Sequence, residues 1–213
     1  MASRERTWIM KSIGSIRAAL ALFFISVGPI FAEEAIPVRN CTFCHGPSAQ
    51  GFATAPRLAG QRSEYIENQL SGFARHIRDN PYSKLYMWNA AANLSLQTAH
   101  DLAAYFSAVP PQPANDGSKE LVASGKEIFE LGIPTANVAA CIVCHAPSAE
   151  GVREIPRLGG LSSSYVRRRL EQWNEGFHGS AGPMPRVARS LSATQIDALA
   201  SYLSFVDTKS SQP

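Results

Sequence analysis

Little in this 213-residue chain is surplus. Its four cysteines all lie in two short motifs 100 residues apart, so no cysteine stands outside them. Neither sign of charge is in excess once residues 1–32 are set aside. Without Arg4, Arg6, Lys11, Arg17 and Glu5, 16 Lys plus Arg face 16 Asp plus Glu. That balance excludes the concentrated basic face that nucleic-acid binding requires. Strand-like alternation is missing around both cysteine motifs, which argues against a βαβ setting. No comfortable bilayer span of about 20 apolar residues is present; the run from Ala18 to Val27 is too short. Methionine is equally sparse, since beyond residue 32 only Met87 and Met184 occur.

The first 32 residues read as a secretory signal. Basic residues precede the apolar run, Gly28-Pro29 breaks it, and cleavage after Ala32 is expected. An uncleaved membrane anchor is the alternative. The tail at 208–213 is expected to fray.

The cysteines occur as Cys41-Thr42-Phe43-Cys44-His45 and Cys141-Ile142-Val143-Cys144-His145. C-x-x-C-H is the sequence mark of covalent c-type haem attachment. Thiols three positions apart share one face of a helical turn, where both can add to the vinyl groups of one haem. The adjacent histidine then lies under the iron as its proximal ligand. Competing readings fit less well. A thioredoxin-like C-x-x-C expects a βαβ unit. One zinc held by two C-x-x-C pairs expects a gap of roughly 15–20 residues, whereas 96 separate Cys44 from Cys141. Disulfides would leave both histidines unexplained.

The two halves repeat. At an offset of 100, Pro47-Ser48-Ala49, Gly51, Pro56-Arg57-Leu58, Gly60, Tyr65 and Leu70 match their counterparts from Pro147 to Leu170. At an offset of 97, Met87, Leu94, Ser95, Leu102 and Tyr105 match Met184, Leu191, Ser192, Leu199 and Tyr202. This is a duplicated domain and not a solenoid, which needs shorter, more numerous units. The expected divisions are a first domain at 33–109, a linker at 110–117 rich in proline, and a second domain at 118–207. Helical periodicity predicts helices over 63–73, 95–109, 118–131, 162–173 and 192–206, with Ser95 and Ser192 as N-caps. The first half has only a short leading segment, 33–40. Domains this small have marginal cores of their own, so a buried haem is expected to complete each.

Met87 and Met184 occupy equivalent positions, 42 and 39 residues after the proximal histidines. One methionine per haem, in register, is what His/Met ligation predicts, and a thioether ligand raises the potential. Core filling is the competing role. Pro183 and Pro185 flank Met184, so a loop is expected there instead of a helix. His76, His100 and His178 are rival ligands, but none repeats. Pro56 and Pro156 follow their histidines by 11 residues, where a backbone carbonyl could take the Nδ1 proton; the alternative is an ordinary loop proline. Arg57 and Arg157 suit haem propionates or open solvent equally. Arg167-Arg168-Arg169 replaces Glu67-Asn68-Gln69, either as a solvated face or as a patch for an anionic partner or membrane surface.

With the doubled C-x-x-C-H, Pro-Arg-Leu-Ala-Gly-Gln at 56–61, Pro-Arg-Leu-Gly-Gly-Leu at 156–161, and Met-x6-Leu-Ser leading into each last helix, the chain resembles the dihaem cytochrome c4 family. The resemblance covers nearly all of 38–207. It implies an all-α fold of two tandem class I cytochrome c domains, related by a pseudo-twofold. It also implies two covalently bound haems c on Cys41, Cys44, Cys141 and Cys144. Axial pairs His45/Met87 and His145/Met184 follow by carry-over. The implied role is periplasmic one-electron carriage between respiratory proteins, for example to a terminal oxidase or reductase, with no catalytic residue and no small-molecule substrate. A subunit of a membrane-associated dehydrogenase or oxidase complex is the alternative. A dihaem peroxidase fits worse, because it needs one open iron.

Overall fold

The computed structural model describes residues 37–207. The expected signal at 1–32 and the tail at 208–213 lie outside the described residues. In order, the helices are α1 Val38–His45, α2 Ser63–Ala74, α3 Trp88–Ala91, α4 Leu96–Ala108, α5 Val122–Leu131, α6 Ile142–His145, α7 Ser163–Asn174, α8 Met184–Arg189 and α9 Ala193–Phe205. Among the described residues, β structure is limited to isolated bridges, Ile133 with Val138 and Val152 with Ile155.

The long helices start and stop close to where periodicity places them. Ser95 accepts from the Thr98 amide at the start of α4. Ser192 and Gln195 form a full capping box at the start of α9, each side chain accepting from the other's otherwise unpaired amide. Two local readings are corrected. The segment from Ser118 begins as a 3-10 turn, Lys119–Leu121, before α5. Met184 starts a helix, not a loop, with Pro183 as its cap. Proline fits there because first-turn amides have no intrahelical partner, so a ring at that position removes nothing. Periodicity also misses the π turn Ser83–Met87 that runs into α3, both being too short to show a repeating stripe.

Each half has its own core. In the first, Ile66 of α2 packs with Leu102, Ala103 and Phe106 of α4 and with Ala49 and Ala59 from the loop between α1 and α2. In the second, Phe129, Val166, Leu170, Ile196, Leu199 and Leu203 form a larger core with Val138, Leu161, Ala188 and Leu191. The larger core draws Phe129 from α5 and further residues from α7, α8 and α9, and α5 crosses α9 closely. A Cβ on Gly125 would lie 2.0 Å from the Ala198 carbonyl oxygen, so the crossing depends on a residue without a side chain.

The linker is fastened along its length. Gln50 of the first half bonds the Pro110 carbonyl and the Gln112 amide. Ala114 donates to Gly160 O and Asn115 to Ser204 O. The Gly117 and Ser118 amides donate to the hydroxyls of Ser204 and Ser201, and Asp116 binds Ser162 and Ser163.

Candidate functional site

Each C-x-x-C-H ends in the same frame. His45 closes α1 and His145 closes α6, and each is followed by a left-handed residue, Gly46 at φ 86° and Ala146 at φ 66°. The chain then folds back. Gly51 donates to His45 O, and the Leu58 and Ala59 amides both donate to Ala49 O. The same bonds recur in the second half at Gly151, Leu158 and Gly159. Gly51 and Gly151 both sit at φ 71°, and a Cβ on either would strike the proline–arginine backbone at about 2.5 Å or less.

This fold-back carries Pro56 and Pro156 over the histidines. His45 Nδ1 lies 2.7 Å from Pro56 O, and His145 Nδ1 lies 3.0 Å from Pro156 O. A carbonyl can only accept, so each Nδ1 carries the proton and each Nε2 is left with its lone pair. Both rings are buried. Burial lowers the pKa of each below the usual histidine value, partly opposed by the carbonyl bond, and Arg78 lowers His45 further. A neutral imidazole with a fixed tautomer and a free Nε2 is what an iron ligand requires.

The thiols fit covalent attachment. All four are free, with Cys44 and Cys144 exposed and Cys41 and Cys141 half-buried. Burial pushes the Cys141 thiol up to about 11, and Cys41 is raised by the same cause. A redox-active C-x-x-C needs a depressed thiol, so burial at Cys41 and Cys141 argues against the thioredoxin-like reading. No cluster of three His, Cys, Asp or Glu able to hold a metal occurs among the described residues, which removes the zinc reading. The donor set present is therefore two thiols and one imidazole per half, the set a c-type haem takes.

Met87 ends the π turn before α3, and Met184 begins α8 against the second core. Both are half-buried. The rival histidines have other occupations. His76 stacks on Trp88 with ring centroids 4.0 Å apart, His100 bonds Glu67 at 2.9 Å, and His178 Nδ1 meets Arg169 at 2.5 Å.

Arg57 sits elsewhere than a solvent or simple propionate reading implies. It is 4% exposed and reaches the other half, donating to Gly160 O and Gln112 O at 2.9 Å and to Gly159 O at 2.5 Å. Burial and the neighbouring Arg157 pull its pKa to about 10, so it stays charged at neutral pH. Arg157 is also buried; its backbone binds Gln61 across the halves.

The arginine triplet does not form one patch, either solvated or anion-facing. Arg167 lies 3.8 Å from Asp197. Arg168 donates to Ala53 O of the first half and lies over Tyr82 and Tyr165. Arg169 is buried, stacked 4.2 Å over Trp173 and bonded to Gln172 and His178. Opposite it, Arg78 bonds Gln69 and Tyr165, Asn80 bonds Gln172, and Asp79 accepts the His178 amide. Positions 69 and 78 thus pair as glutamine with arginine, while 169 and 178 pair as arginine with histidine. Sequence reasoning missed this contact. The residues at 61/161, 69/169 and 78/178 differ between the halves, but so do many of their neighbours, so the sequence carried no distinctive signal for it.

Comparison with known proteins agrees with this architecture. The family model for cytochrome c matches residues 122–206. Cytochrome c4 of Pseudomonas aeruginosa is 33% identical over 169 residues, covering 76% of this chain and 82% of that protein. A thiosulfate dehydrogenase electron acceptor of Thiomonas intermedia is 32% identical, covering 87% of each. The solved cytochrome c4 of Acidithiobacillus ferrooxidans superposes with a TM-score of 0.73 at 31% identity, covering 78% of this chain and 98% of that one. With two haem-binding frames, a helical tandem fold and these relatives, the chain belongs to the cytochrome c4 family of dihaem electron-transfer proteins, each chain carrying two covalent haems c.

Proposed function

We infer that His45 with Met87, and His145 with Met184, are the axial pairs of the two haems, and that the protein is an exported carrier working in the periplasm. The observation that supports the histidine half of this assignment is the duplicated Nδ1-to-carbonyl bond, which leaves each Nε2 lone pair free for a metal. When bound, each haem supplies a one-electron Fe(III)/Fe(II) couple. The chain does the rest. Cys41, Cys44, Cys141 and Cys144 would tether the two haems, the prolyl carbonyls orient the imidazoles, and the thioethers of Met87 and Met184 would be the second ligands, a donor type that favours the reduced metal. Two protein ligands per iron would leave no open site for a substrate, which favours a carrier over a peroxidase. The units would be 33–109 and 118–207, joined at 110–117.

Phe43 and Val143, beside the thiols, are 88% and 77% exposed, which supports electron exchange with partner proteins at these edges. Among the described residues no helix is long and apolar enough to cross a membrane. A role as the acceptor of a dehydrogenase is the second reading, favoured by the relative named a thiosulfate dehydrogenase electron acceptor; stable co-purification with a dehydrogenase would establish it over free carriage. The ligand assignment is tested by redox titration with spectra. Met87→Ala and Met184→Ala should each lower one haem's potential and open that iron to small ligands. Parental spectra in both variants would refute the pairing.

A further inference from the structure

We propose that Gln61 of the first domain sets the reduction potential of the haem in the second, by polarising the peptide that holds His145.

The peptide between Pro156 and Arg157 is used at both ends. Its carbonyl accepts from His145 Nδ1 at 3.0 Å, and its amide donates to Gln61 Oε1 at 2.8 Å. The Gln61 amide is fixed in this orientation. Oε1 also accepts from the Arg62 amide at 2.9 Å, while Nε2 donates to Arg157 O at 3.0 Å. Gln61 is 6% exposed and Arg157 3%, so water does not dilute the effect.

A peptide whose N–H is bonded is more polarised, and its oxygen becomes a better acceptor, by roughly 10–30% per bond. A better acceptor draws the Nδ1 proton more strongly, making the imidazole more electron-rich. Such a ligand favours ferric iron and lowers the potential. The repeat breaks here. Gln61 aligns with Leu161, whose side chain has nothing to accept with, so that position offers the first domain's Pro56–Arg57 peptide no matching bond. Chemically similar haem frames are thereby given different ligand strengths, and the difference exists only while the domains are docked. The distances alone rank the two histidine bonds the other way, 2.7 Å in the first half against 3.0 Å in the second, so the potential and not the bond length is the proper readout.

The proposal rests on the axial assignment above, and the test separates the two. Holoprotein carrying Gln61→Leu, the residue its own repeat uses, is titrated spectroelectrochemically beside wild type. The second-domain haem is identified as the one whose spectrum Met184→Ala alters. Gln61→Leu should favour reduction of that haem by about twofold to tenfold, tenfold being 59 mV for one electron. The first-domain haem should move less. The His145 Nδ1 proton resonance should shift upfield in the diamagnetic reduced protein. Gln61→Glu, which keeps the acceptor oxygen, should leave the potential at or below the parental value. Retained sulfur-to-iron bands at both haems, with no rise in the second potential on Gln61→Leu, overturn the proposal while leaving the ligand assignment intact. Equal rises at both haems, or a rise in Gln61→Glu as large as in Gln61→Leu, also overturn it, since either would mark a general loosening of the interface. Loss of the assignment itself would appear as unchanged spectra in Met184→Ala.

Discussion

Arg57→Ala isolates what holds the two domains together. The substitution removes a guanidinium that is 4% exposed and that serves Gly159 O, Gly160 O and Gln112 O. Gly160 O keeps the Ala114 amide as a donor, so two carbonyls bear most of the loss. Leaving a buried acceptor unpaired costs about 1–3 kcal/mol, giving about 2–6 kcal/mol in all. Release of a buried charge from a low-dielectric site offsets part of this, and about 2–4 kcal/mol of net destabilisation remains. For a chain of this size each kcal/mol moves the midpoint by about 2–4 °C, so the holoprotein should melt roughly 5–15 °C lower by calorimetry. Arg57→Lys should recover only part of the loss, because a point donor cannot match a planar fork that spans three carbonyls. An Arg57→Ala protein that melts within about 2 °C of wild type would refute the reasoning. If it also showed a changed potential at the first haem, the guanidinium would belong to a propionate and not to the interface.

Gly125→Ala should destabilise the second domain by about 1–3 kcal/mol as an overpacking change, because its Cβ would lie 2.0 Å from Ala198 O; a normal denaturant midpoint would show that α5 can shift off α9 cheaply. His178, faced by Arg169, Arg78 and Asp79, has its pKa pulled down to about 4 by burial first and then by the two arginines. The unfolded chain therefore binds this proton more readily than the native one, so stability should fall as pH drops from about 6.5 toward 4. His178→Asn, which tolerates the left-handed backbone at φ 51°, should flatten that part of the pH–stability curve; an unchanged slope would remove His178 as its source.

The repeat, the helical class and the attachment chemistry are written in the residues, because these are local. C-x-x-C-H needs only one helical turn to align its thiols, and Ser95 and Ser192 cap helices through bonds three residues long. The histidine-to-carbonyl bond was legible for the same reason, as it closes a loop of 11 residues in each half. Met184 was harder, since a proline read as a helix breaker is a helix starter when it falls in the first turn. The contact between the halves emerges only in three dimensions. Arg57, Gln61, Arg78 and Arg169 look on paper like ordinary polar residues of a loop or a helix face, yet all four are buried. Their hydrogen-bond partners across the domain boundary lie about 90 or more residues away in sequence, at Arg157, Gly159, Gly160 and Tyr165 for the first three. No periodicity reports such partners, because burial at a domain interface is set by how two folded surfaces meet and not by the spacing along either one.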